Sequence, residues 1–73
     1  MGFEAKILKA VEEKLGAVPA AFAHGTLFVE DITKEETELV VEAIREVIFP
    51  ETDVIVSGPI VDRFGSEYAF DIA

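Results

Sequence analysis

The chain contains no cysteine, no tryptophan, one histidine, one methionine and three prolines in 73 residues. Without cysteine there is no disulfide scaffold, no thiol nucleophile and no Cys-built zinc module. Cations are also scarce. Six Lys or Arg stand against 15 Asp or Glu, for a formal net charge of -9. Nucleic-acid binding draws on Lys and Arg to displace counterions, so no direct contact with nucleic acid is expected. Anionic membranes are disfavoured for the same reason. The apolar runs fall far short of the roughly 18 residues of a membrane span. The N-terminus shows no apolar signal-peptide core. Met1-Gly2 begins like a myristoylation motif, but Lys6 stands where Ser or Thr is required. The expectation is a soluble, cytoplasmic protein.

What the chain does have is apolar content. Half of it is hydrophobic (51%), including six Phe and one Tyr, which separates it from disordered acidic chains. Residues 1–73 are expected to form one compact domain. A chain this short buries only about 60% of the surface it exposes when unfolded, so a good core or self-association must carry its stability. The charge is unevenly spread. Up to Ala23, Glu4, Glu12 and Glu13 are balanced by Lys6, Lys9 and Lys14. The whole excess of -9 lies beyond, where twelve acids face only Lys34, Arg45 and Arg63.

Residues 3–15 carry Phe3, Ile7, Leu8, Val11 and Leu15 at spacings of three and four, the pattern of an amphipathic helix, and Gly16 follows as a cap. Pro19 in the Ala-rich stretch that follows suggests a short helical turn, broken at His24-Gly25. Thr26 to Ile32 reads as a strand, with Leu27 and Val29 on one side and Phe28 and Ile32 on the other. Thr33-Lys34-Glu35-Glu36 matches a capping box, so a helix from Lys34 to Phe49 is expected, stopped by Pro50. Asp53 to Phe64 is β-rich, with Val54, Ile55, Val56, Ile60 and Val61, but interrupted by Gly58-Pro59, and proline places it at a sheet edge or a bulge. A turn at Gly65-Ser66 leads to a last strand with Tyr68, Phe70 and Ile72 on one face.

The expected fold is therefore α+β, in the order α-β-α-β-β, with a three-stranded mixed or antiparallel sheet and two helices on one face. Pro59 favours the last strand as the central one. Two hairpin registers compete: a Gly65-Ser66 loop pairing Val61 with Phe70, and a Phe64-Gly65-Ser66 loop pairing Ile60 with Phe70. The first joins two apolar residues and is preferred. Phe28 or Phe64 is expected on the uncovered sheet face.

Few residues carry catalytic chemistry. His24 sits in a predicted break, and Ser57 and Ser66 each adjoin a glycine in a predicted turn, without the strand-to-helix elbow of a hydrolase nucleophile. No Gly-rich run with Lys precedes a helix, so there is no phosphate loop. Glu30, Asp31 and Asp53 at strand ends are the one set of oxygen ligands that could gather around Mg²⁺ or Ca²⁺, but their spacing matches no calcium loop. No cofactor, no metal and no enzymatic activity are expected. A small enzyme using His24 with these acids ranks last among the readings.

The second helix carries the most distinctive pattern. At about 100° per residue, Glu35, Glu38, Glu42 and Glu46 fall within roughly 80° of arc, opposite Val40, Ile44, Val47 and Ile48. Leu39 lies among these acids. Such a face is the ordinary solvent side of a helix, and it is also what a basic protein surface would dock against. The leading expectation is a non-enzymatic interaction module binding a basic partner through Glu35, Glu38, Leu39, Glu42 and Glu46. In its narrower form the carboxylate row mimics nucleic acid, as in small viral inhibitors. The alternative is a structural protein that forms a homodimer or higher assembly through its exposed sheet face or an edge strand.

Overall fold

The computed structural model describes residues 2–48, 53–63 and 65–72. Its elements are α1 (Gly2–Leu15), β1 (Ala20–Ala23), β2 (Thr26–Glu30), α2 (Lys34–Val47), β3 (Val54–Asp62) and β4 (Gly65–Ile72). The four strands form one antiparallel sheet in the order β1-β2-β4-β3. The α+β class and the two helices on one face agree with the sequence. The three-stranded sheet does not, because Ala20–Ala23 is a strand and not a helical turn. Alanine favours helix only weakly against tertiary pairing. Here Ala20 and Phe22 alternate inward with Ala21 and Ala23 outward. His24 (φ 53) and Gly25 (φ 79) both take positive φ, as a tight two-residue hairpin turn requires.

β4 lies between β2 and β3, antiparallel to both, so β2 and β3 run parallel with α2 crossing between them. The α2 start follows the capping box: Thr33 Oγ1 accepts from the Glu36 backbone N–H at 3.2 Å, and Glu36 Oε1 accepts from the Thr33 N–H at 2.8 Å. The helix ends at Val47 with Ile48 as its cap. The expected end at Phe49, the stop at Pro50 and the exposure of Phe64 fall outside the described residues. Phe28 does lie on the uncovered face, half-buried among its sheet neighbours.

The core is a single cluster under the two helices. Ile7 and Val11 of α1, Val40, Ala43 and Ile44 of α2, and Leu27, Val29, Tyr68 and Phe70 of the sheet are all buried. Each large apolar side chain so buried contributes about 1.5–3 kcal/mol relative to exposure. Ile32 joins them, contrary to its expected place opposite Leu27. Asp31 takes a positive φ of 59, which ends the strand alternation and turns Ile32 inward.

Both expected hairpin registers are also corrected. Asp62 pairs with Gly65, Val61 with Ser66 and Ile60 with Glu67, so the pairing already begins at Gly65. The register then shifts between Ser57 and Ile60, and Val56, not Val61 or Ile60, pairs with Phe70. Gly58 and Pro59 together oppose Tyr68, a bulge of one extra residue. Gly58 has φ 131, and a Cβ there would meet Glu67 O at 3.0 Å and Tyr68 Cδ1 at 3.1 Å. Only glycine fits both the backbone and the space. Gly58→Ala is therefore expected to destabilise the fold by about 1–3 kcal/mol, read as a lower urea midpoint. An unchanged midpoint would contradict the tight approach to β4.

Candidate functional site: the outer face of α2

Helical periodicity splits α2 cleanly. Thr37, Val40, Ala43 and Ile44 face the core, while Glu35, Glu38, Leu39, Glu42 and Glu46 are all exposed. Leu39 retains 37% of its surface. The five expected site residues are thus brought onto one wet surface, and Val40 and Ile44 seal the interior behind them.

The charge along this surface is not uniform. Lys14, in the last turn of α1, reaches across to Glu46 Oε2 at 2.9 Å and to Glu42 Oε1 at 3.9 Å. The sequence sets only Lys34, Arg45 and Arg63 against the acids beyond Ala23, and this cation comes instead from α1. The pairing has a clear electrostatic cause. The last turns of both helices meet here, bringing together two negative dipole ends and two glutamates. The visible signal was Lys14 itself, a cation at the end of an otherwise balanced helix. Glu35 and Glu38, nearer the positive end of α2, form no ion pair with any described residue.

The first turn of α2 also borders a cleft of about 350 Å³, lined by Lys34, Thr37, Val56, Gly58, Pro59 and Tyr68. The Thr37 hydroxyl donates back to the Lys34 carbonyl and offers no free donor to the cleft.

The other candidates do not converge. Glu30 pairs with Glu67 at one end of the sheet, while Asp53 precedes Val54, which pairs with Ile72 at the other. Glu30 and Asp31 therefore do not gather with Asp53. His24 sits in the β1–β2 turn at the Asp53 end, away from Glu30, Asp31 and Ser66. Among the described residues no group of three His, Asp or Glu is placed to hold a metal ion. No described helix is long and apolar enough to cross a membrane. No protein-family model, no curated protein and no solved structure matches the chain.

The Lys14 contact sets a pH and salt dependence. Its hydrogen bond to Glu46 raises the ammonium pKa above the ordinary 10.5; desolvation opposes this, and the charges of Glu46, Glu42 and Glu13 add to it. A raised folded-state pKa stabilises fully below the unfolded value and is lost as pH climbs through the folded one. Lys14→Gln is thus expected to lower the melting temperature near neutral pH and low salt. The difference should shrink in 1 M salt and above pH 10.5. A variant melting identically at low salt would show that the contact contributes nothing.

Proposed function

We propose that this protein is a non-enzymatic interaction module whose α2 face docks against a basic protein surface. The observation that carries this reading is the exposed acidic half of α2, Glu35 and Glu38 beside the exposed Leu39, neither glutamate having an ion-pair partner among the described residues. An apolar side chain rimmed by carboxylates can seat in a partner pocket while the charges steer encounter. Glu42 and Glu46 extend the surface but share Lys14, so they contribute less field. The narrower reading, mimicry of nucleic acid, needs an unbroken row of anions over the roughly 16 Å from Glu35 to Glu46. Lys14 interrupts that row, which favours a compact contact centred on Glu35, Glu38 and Leu39.

A second reading, self-assembly, is favoured by β3. Ile55, Val56, Ile60 and Val61 are exposed on it, Val61 by 71%, and no charged residue occurs from Val54 to Val61. Against it, Pro59 has no N–H to pair and the bulge interrupts the free edge, two features that discourage edge-to-edge association.

The test is affinity capture from native extract at low and high salt, with Glu35→Lys/Glu38→Lys as the matched variant. Partners held at low salt should be lost at high salt and with the variant. Reversal of two charges should slow association about tenfold or more. Capture of the same partners by the variant would end this reading. A concentration-dependent dimer in sedimentation, insensitive to salt, would favour the second.

A further inference from the structure

Opposite the helices, the sheet presents a face over which no described element packs. Strand pairing orders it in rows. The central row runs Ala21, Phe28, Ala69 and Ser57, without a charge. On one side lies Thr26, whose hydroxyl donates to Asp71 Oδ1 at 2.9 Å. On the other, Glu30 stands directly opposite Glu67, with Ile60 beyond. Directly opposed side chains have Cβ atoms about 4.5–5.5 Å apart, where like charges destabilise a sheet. Neither Glu30 nor Glu67 has an ion-pair partner among the described residues.

We propose that this open sheet face is a docking surface for an arginine-bearing segment of a partner protein, the guanidinium lying on the Phe28 ring between Glu30 and Glu67. Phe28 and Glu30 are two residues apart on β2 and share the face, with Ala69 and Glu67 beside them on β4. Phe28 is half-buried, and the residues paired with it on either side, Ala21 and Ala69, are small. Two adjacent carboxylates match the donor fork of arginine better than the point charge of lysine. An aromatic face within reach adds cation–π attraction. The neighbouring apolar row suits the aliphatic side chains that accompany such an arginine. A second copy of this chain is a poor occupant, because it would bring a second set of Glu30, Glu67 and Asp71 to the same interface between two chains of net charge -9 each. The inference rests on the reading that the partner is basic, but it assigns that partner a surface separate from α2.

The probe is a synthetic peptide of alternating Arg and Leu, compared with its Lys and Leu counterpart, titrated against the full chain and followed by anisotropy and amide chemical shifts. Shifts should centre on Phe28, Ala69 and Glu67, and the Arg peptide should bind more tightly than the Lys one. Phe28→Ser and Glu67→Gln should each weaken it about fivefold or more, and Glu35→Gln/Glu38→Gln by less than about twofold. Phe28→Ser risks unfolding, so Glu67→Gln carries the decision, since removing a like-charge pair should leave its melting temperature at or above the parent's. Absence of binding, binding indifferent to Glu67→Gln, or equal affinity for the Lys peptide would overturn the proposal. Binding lost only with the α2 variant would overturn it while leaving the α2 reading intact. A dimer abolished by Phe28→Ser would overturn it in favour of self-association.

Discussion

The structure depends on one act of burial: Leu27, Val29, Tyr68 and Phe70 on one face of the sheet, sealed by Ile7 and Val11 of α1 and Val40, Ala43 and Ile44 of α2. A chain of 73 residues buries a smaller fraction of its surface than a larger domain does. Covering one sheet face with two helices uses up both helices. The opposite face and the outer strand β3 are left to solvent or to a partner. The location of the exposed apolar side chains follows from this limit, and so does the interest of the uncovered surfaces.

Charge is arranged around the same limit. Among the described residues Thr37 is the one buried polar side chain and no acid is buried, and a net charge of -9 repels itself. The fold relieves that repulsion at the joined C-terminal ends of the helices, by placing Lys14 against Glu46 and Glu42. Among the described residues no cation pairs with Glu35 and Glu38, or with the opposed Glu30 and Glu67. Retained repulsion of this kind is a cost in the isolated chain, and a cationic partner would turn it into binding energy. A shared electrostatic logic therefore links the α2 reading to the open-face inference, although the two surfaces lie on opposite sides of the sheet.

Features set by nearest neighbours were legible in the sequence. The Thr33–Glu36 capping box, the outward acids of α2 and the inward Tyr68 and Phe70 each depend on residues within a turn or on simple alternation. The central place of β4 was legible too, because proline's missing N–H confines Pro59 to an edge or a bulge. Features set by distant pairing were not. Ala20–Ala23 carries helix-favouring residues, and only its pairing with β2 makes it a strand. The register of β3 against β4 hinges on a bulge whose length no local pattern fixes. Ile32 turned inward because Asp31 adopts a left-handed backbone conformation that its residue type permits but does not demand. Lys14 was visible as a cation, but its glutamate partners belong to a helix that only tertiary packing brings near. The candidate site was therefore readable as a surface, while its electrostatic strength was not.

The claim that one sealed sheet face carries the stability is tested most directly by native-state amide hydrogen exchange. Amides bonded between β2 and β4, under the helices, should exchange only through global unfolding, and those of β1 and β3 should open sooner. Protection that is uniform across the four strands, or greatest in β3, would contradict it and would mean that the outer strand is covered by something the isolated chain does not supply.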